Sequence, residues 1–236
     1  MSPPQYVCFM ASIVPSLVAG DFARLGESLD VVQALGVSAV HVDIIDGHFR
    51  SQISVGQPVV RSIRKATRLD LDVHLVIERP EHYIADFVNA GADSLAFHIE
   101  ATQNATLAID SIQKLGAKAG LALSPSTPVE ACYEVLEGLD YVLVETGGGT
   151  FMARSFNRVA ALAQERETRG LNFAIEAEGN VGVSEAEKLL AAGADILVVG
   201  SAIFDKEERG KAMRAFARTL SGSSLAFGQE APSQAH

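Results

Sequence analysis

Long apolar runs, cysteine motifs and excess positive charge are all missing from this sequence, and each absence excludes something. No apolar run reaches the ~18 residues that a membrane-spanning helix needs. Only two cysteines occur, Cys8 and Cys132, with no CxxC spacing, so neither a disulfide framework nor a thiolate metal site is expected. Acidic residues exceed basic ones by enough to give a formal charge of -10, which argues against nonspecific binding to nucleic acid or to an anionic membrane. The opening stretch MSPPQYVCFMAS has no basic n-region and no long apolar core, so no secretory leader is expected and a reducing cytoplasm is the expected compartment. What remains is an ordinary soluble composition, 48% hydrophobic and 20% charged, in a chain of 236 residues that is long enough to bury one large core.

Within that composition the chain repeats one pattern. QALGVSAV (33–40), VNAGADSLAF (88–97), QKLGAKAGLAL (113–123) and LAAGADILVVG (190–200) each close a helix on a glycine and run at once into a short apolar strand. Glycine suits the left-handed residue just past a helix end, where a side chain carries a steric cost. Helical periodicity marks FARLGESLDVVQAL, YIADFVNA, TLAIDSIQKL, VEACYEVLEGL and SEAEKLLAA between the strands. Eight strands are predicted, near 12–16, 39–43, 71–75, 94–98, 118–123, 141–144, 173–177 and 196–200. Alternation of strand and helix implies right-handed βαβ units and a parallel sheet, and eight units at this length predict one closed (β/α)8 TIM barrel over residues 1–220. The rival, a doubly wound open sheet, lacks a GxGxxG after the first strand. The segment 221–236, rich in Ser, Gly, Ala and Gln without helical patterning, is expected to be a disordered tail.

In a parallel barrel chemistry gathers at the C-terminal ends of the strands. Four predicted strands end in groups able to bind metal or move protons: His41 and Asp43, Asp72 and His74, His98, and Glu176 and Glu178. Residues two apart on a strand share a face, so His41 and Asp43 reach one ion, with His74 beside them on the next strand. Imidazole nitrogen with carboxylate oxygen suits Zn²⁺, Mn²⁺, Fe²⁺ or Co²⁺. Asp72 is expected to support this set rather than ligate. His98 is either structural or a support, and His48 is either a loop residue or reaches back to the site. His82 is expected at the surface, and Asp46, before Gly47, reads as a turn former or a second acid.

Five segments taken together, IVPSLVAGDFARLGE, HVDIIDGHF, LDVHLVIERPEHYI, GAKAGLALSPSTP and VVGSAIF, resemble the ribulose-phosphate 3-epimerase family in order from Ile13 to Phe204. The resemblance implies a ribulose-phosphate-binding barrel that holds one divalent metal, Zn²⁺ as first choice, and epimerises a phosphorylated ketose at C3. It implies metal ligands at His41, Asp43, His74 and Glu178, a substrate contact at Ser16, and phosphate binding by backbone amides at Gly200 and Ser201. Asp43 and Glu178 are the two carboxylates this sequence offers for removing the C3 proton from one face and returning one to the other, through an enediolate. The implied partner is a small phosphorylated sugar, and the family often forms homo-oligomers.

Departures from the family's pattern concern the sugar. EGN (178–180) stands where the family has DGG, and Ile45, Val76 and Glu145 stand where it has methionines. ETGGGTFMARSF (145–156) replaces a stretch like MSVNPGFGGQSF, leaving Gly147, Gly148 and Gly149 as either an anion nest or a flexible loop. Arg50, Ser51 and Gln52 replace VPN. Glu145 is expected either to accept a substrate hydroxyl, selecting a sugar other than ribulose 5-phosphate, or to pair with Arg50 or Arg154. The competing functions are an aldose–ketose isomerase on the same site and a nonenzymatic metabolite-binding relative. A sugar-phosphate decarboxylase would want the lysine of a DxKxxD motif, which HVDIIDGHF lacks.

Overall fold

The computed structural model describes residues 11–204 and, beyond them, residues 211, 212, 214–216 and 218; Cys8 and the tail 221–236 lie outside the described residues. Eight strands form a single parallel sheet: β1 (Ser12–Pro15), β2 (Ala39–Ile45), β3 (Asp70–Val76), β4 (Ser94–His98), β5 (Lys118–Leu123), β6 (Tyr141–Glu145), β7 (Ala174–Glu178) and β8 (Ile196–Val199). Their order is β1-β8-β7-β6-β5-β4-β3-β2, and a parallel bridge between Ser16 and His41 brings the two ends of that order together. The sheet is thereby closed into the expected (β/α)8 barrel. The closing glycines of the four repeats, Gly36, Gly91, Gly116 and Gly193, all hold positive φ, from 75° to 112°, as the helix–glycine–strand pattern requires.

Around the sheet lie α1 (Leu25–Ala34), α2 (Gln57–Ala66), α3 (Ile84–Ala90), α4 (Ala105–Lys114), α5 (Arg154–Arg169), α6 (Val183–Ala191) and the short α7 (Ser201–Phe204). Two differences from the sequence expectations stand out. VEACYEVLEGL forms two 3-10 turns, Val129–Cys132 and Leu136–Gly138, instead of an α-helix. Only Val129, Cys132 and Leu136 of its two turns face inward, and the pieces bury these anchors without a full helical turn count. Conversely α2 and α5 are helices that the sequence patterns did not single out. They bury only two and three residues respectively, so their apolar stripe is thin. No helix among the described residues is long and apolar enough to cross a membrane.

Strand periodicity decides what faces the barrel interior. On β2, Val40, Val42 and Ile44 pack outward with the helices in the main core, so His41 and Asp43 turn inward. On β3, Leu71, Val73 and Leu75 do the same and leave Asp72 and His74 inside. The interior is narrow and filled by a small cluster of Ala96, Ala122, Tyr141, Leu143 and Ala174. Tyr141 lies over Gly120 so closely that any Cβ at that position would run into the phenol ring.

At the opposite end from the site, the aspartates that immediately precede β4, β6 and β8 lock the register. Asp93 N–H donates to Leu71 O at 2.9 Å, while the Asp93 carboxylate accepts from Leu71 N at 2.8 Å. Asp140 repeats this with Ala119 and Asp195 with Ile175. Each carboxylate thus supplies the acceptor for the N–H of the second residue of β3, β5 or β7.

Candidate active site

The inward residues at the strand ends converge on one point. His41 Nε2 lies 3.2 Å from Asp43 Oδ1 and 3.5 Å from Glu178 Oε2; His74 Nδ1 lies 3.3 Å and 3.0 Å from the same two oxygens. Each imidazole nitrogen therefore stands 3.0–3.5 Å from both carboxylate oxygens, and all four donor atoms from β2, β3 and β7 lie within 4.8 Å of one another. A tetrahedral ion bound at 2.0–2.1 Å separates its donors by about 3.3 Å, so the spacing fits a borderline divalent cation. The chemistry of the set fits as well: two imidazoles and two carboxylates, with the buried Glu178 Oε2 making no hydrogen bond among the described residues.

Both imidazoles are held from behind, His41 by a carboxylate and His74 by a second imidazole. His41 Nδ1 sits 2.6 Å from Asp72 Oδ2, and Asp72 Oδ1 accepts from Ser94 Oγ at 2.7 Å and from Tyr141 OH at 2.8 Å. Because the carboxylate accepts, the proton resides on His41 Nδ1 and the Nε2 lone pair faces the cluster. His74 Nε2 lies 3.1 Å from His98 Nε2, and His98 Nδ1 lies 3.2 Å from Glu100 Oε2. Read outward from Glu100, this chain puts a proton on His98 Nδ1 and another on His74 Nε2, again turning the lone pair of His74 Nδ1 toward the cluster. His98 is thus a support, stacked between His74 and Phe49.

The electrostatics agree with a site that takes up positive charge. Burial opposes a charge on His41, yet the carboxylates of Glu178, Asp43 and Asp72 outweigh it and hold the imidazole well above its ordinary range. His74 is raised to about 10 against the same burial, chiefly by Glu178 and Asp43. The field that favours a second proton on these rings equally favours a divalent cation, whose binding releases those protons. His98 goes the other way: burial, reinforced by His74, lowers it to about 4, so it stays neutral. Beneath the cluster Glu176 is fully buried, and burial together with Asp72 pushes its carboxyl well above the usual range.

The remaining sequence candidates fall in three groups. Ser16 Oγ donates to Asp43 Oδ2 at 3.1 Å and lines a hollow of about 120 Å³ with Glu178, Gly179, Asn180, Gly200 and Ser201. Gly147 packs behind that hollow, since a Cβ on Gly179 would come within 2.7 Å of its carbonyl oxygen, and Gly148 has open space around it. Glu145 pairs with Arg50, Oε2 to Nη2 at 2.5 Å, while Arg154 instead donates to Met152 Sδ. Asp46 stays outside the cluster: its carboxylate accepts from the backbone N–H groups of His48, Phe49 and Glu78 and ties the β2 and β3 loops together. His48 and His82 are exposed. Cys132 is buried, and burial pushes its thiol up to about 12, which leaves it inert.

Sequence reasoning missed Ser94, Glu100, Ser124, Tyr141 and Arg158. Arg158 on α5 donates to the backbone oxygens of Leu123, Ser124, Thr127 and Glu145, holding the ends of β5 and β6 together. Nothing local marks it, because an arginine on an amphipathic helix is ordinary. Glu100 was detectable in principle, two residues beyond His98 at a strand end.

Comparison with known proteins places this arrangement. A family model described as "Ribulose-phosphate 3 epimerase family" matches residues 12–204. The ribulose-phosphate 3-epimerase of Treponema pallidum is 43% identical over 198 residues, 82% of this chain and 91% of that protein. The Bacillus subtilis enzyme of the same name is 37% identical over 210 residues, 86% of this chain and 97% of its own. Among solved structures, KGPDC from Streptococcus mutans superposes with a TM-score of 0.70 at 13% identity, covering 90% of this chain and 98% of that one, a likeness of fold alone. The chain belongs to the ribulose-phosphate 3-epimerase family and is an epimerase of the isomerase class.

Proposed function

We propose that the protein epimerises a phosphorylated ketose at C3, with a divalent cation held by His41, Asp43, His74 and Glu178. The observation that carries this reading is that the Asp43 and Glu178 carboxylates flank the same two imidazoles from β2 and β7. A C3 proton beside a C2 ketone is weakly acidic, and a carboxylate placed on each face removes it from one side and returns it to the other. Ser16 donates to Asp43 Oδ2 and so leaves Oδ1 as the oxygen directed at the cluster. Asp72 and the His98–Glu100 chain fix the ring orientations on which that geometry depends. When bound, the cation supplies positive charge against the negative charge that develops on the ketone and C3 oxygens.

The phosphate is assigned to the hollow beside Glu178, where the backbone of Gly200 and Ser201 is reached from Ser16. Gly147 and Gly148 shape this end from behind, through the contact of Gly147 with Gly179. Zn²⁺ suits two imidazoles and two carboxylates at this spacing, and Mn²⁺, Fe²⁺ and Co²⁺ share the same donors. We place the activity in the cytoplasm, on a small sugar phosphate. Tetrulose, pentulose and hexulose phosphates incubated in D₂O with Zn²⁺, Mn²⁺, Fe²⁺ or Co²⁺ are the direct test. NMR should show deuterium entering at C3 of one of them, and a chelator should abolish the exchange. Absence of exchange in every sugar and metal would overturn the assignment.

A further inference from the structure

Glu145 occupies a distinctive position on the pocket wall. Its side chain is only 18% exposed at the end of β6, in register with Glu178 on β7. One oxygen, Oε2, is held by Arg50 Nη2. The other, Oε1, makes no hydrogen bond among the described residues; His98 Nε2 lies 3.9 Å from it, too far for one. In the tautomer derived above, that nitrogen already accepts from His74. Glu145 shares the inward face of β6 with Tyr141 and Leu143, so a largely buried carboxylate oxygen without a hydrogen bond is left at the barrel mouth.

The surroundings give that acceptor a direction. Arg50 arrives from the β2 loop, with its guanidinium 5.3 Å from the Phe49 ring centre and Nη2 also donating to Ser124 Oγ at 3.3 Å. Phe49 in turn rests on His98. The Phe49–Arg50 segment therefore roofs the sector of the mouth formed by β4, β5 and β6. In the ring order of the strands, β4 and β5 lie across the barrel from β8 and β1, where Ser16, Gly200 and Ser201 line the small hollow. The four-donor cluster lies between these two ends.

We propose that Arg50 and Glu145 form the hydroxyl-recognising end of the pocket, with Glu145 Oε1 accepting the C1 hydroxyl of the ketose phosphate and Arg50 pinning Oε2. This rests on the function proposed above, which sets the phosphate in the hollow and C2 and C3 at the cluster; C1 then points at Glu145. Because the positive charge of Arg50 is already matched by Glu145, this end recognises a neutral hydroxyl rather than a second anionic group. The pair thereby selects ketose phosphates that carry a free C1 hydroxyl. It acts as a specificity device separate from the proton-transfer carboxylates.

The test compares D-xylulose 5-phosphate, or whichever ketose phosphate exchanges fastest in the assay above, with its 1-deoxy analogue, which keeps the ketone and the C3 hydrogen but lacks the C1 hydroxyl. Rates of C3 hydrogen exchange in D₂O give kcat/KM for each. The wild type should prefer the hydroxylated compound by roughly 100-fold, because a polar site left unpaired rejects the analogue. Glu145→Met should bring that preference to within roughly threefold, and Arg50→Met should reduce it without removing it. Should Glu145→Met not fold, Glu145→Gln, of the same shape, should still lower the preference by roughly tenfold. A preference unchanged in folded Glu145→Met, or in Glu145→Gln where the former is unfolded, overturns the inference alone. A wild type that exchanges neither compound nor any other ketose phosphate overturns the proposed function with it.

Discussion

Asp72 Oδ2 stands 2.6 Å from His41 Nδ1, although 31 residues separate them in the chain, and the same carboxylate takes hydrogen bonds from Ser94 and Tyr141 through its other oxygen. Every acceptor position that matters on Asp72 is filled, so its orientation is fixed and it fixes the imidazole in turn. Replacement by Asn removes the charge that favours a proton on Nδ1 and lets the ring present N–H instead of a lone pair to the cluster. Asp72→Asn should weaken Zn²⁺ binding by roughly 10–100-fold, measured by chelator competition. Undiminished affinity would show that the ring is held by its packing alone.

Asp43 and Glu178 are expected to serve opposite faces of the substrate. Asp43→Asn and Glu178→Gln should each lower the epimerisation rate by a factor of at least ~100, the usual range for a lost general acid or base. One of the two variants should still exchange the C3 hydrogen of one epimer into D₂O, since only the second proton delivery is blocked. Near-normal turnover by Glu178→Gln would remove that residue from the reaction.

His98 makes the stability of the fold depend on acid. Burial lowers it from an ordinary 6.5 to about 4, with His74 reinforcing the shift and Glu100 opposing it. Between those values the unfolded chain binds a proton that the folded chain does not. Stability contributed by this residue is therefore complete above pH 6.5, declines as the pH falls toward about 4, and changes no further below that. Urea midpoints recorded against pH in the presence of a chelator should show this decline in the wild type and a flatter curve in His98→Asn. Parallel curves for the two proteins would contradict it.

Gly120 is where the barrel interior leaves no room. A Cβ there meets the Tyr141 ring, whose hydroxyl is anchored on Asp72 and whose edge is enclosed by Ala96, Ala122 and Ala174, so the ring has nowhere to turn. Gly120→Ala should cost about 1–3 kcal/mol, the scale of overpacking a tight core, and appear as a lower melting temperature. A variant as stable as the wild type would mean that the interior relaxes more freely than its packing implies.

Much of the site could be read from the chain because strand geometry is periodic. His41 with Asp43, and Asp72 with His74, lie two apart among aliphatic neighbours that belong to the outer core, so each pair had to face inward once the strands were recognised. The helix–glycine–strand repeats likewise carried their own conformational reason, since a left-handed residue follows each helix. Helices α2 and α5 escaped because their buried stripes are short, and 129–139 misled because apolar residues at helical spacing also suit successive 3-10 turns.

The alternation of elements, hence the parallel barrel, and the placing of the metal-ligand candidates at matching strand ends are written in the chain. These are local properties, set by side-chain period and backbone preference within a few residues. It takes the folded barrel for Ser16 to meet His41 and bring the ends of the sheet together, for His98 to hand Glu100's influence to His74, and for Arg50 to reach Glu145 in place of Arg154. Apart from His98 with Glu100, two residues on, those contacts join residues 24 to 95 positions apart. Their partners are chosen by barrel closure and loop direction, which no local pattern encodes.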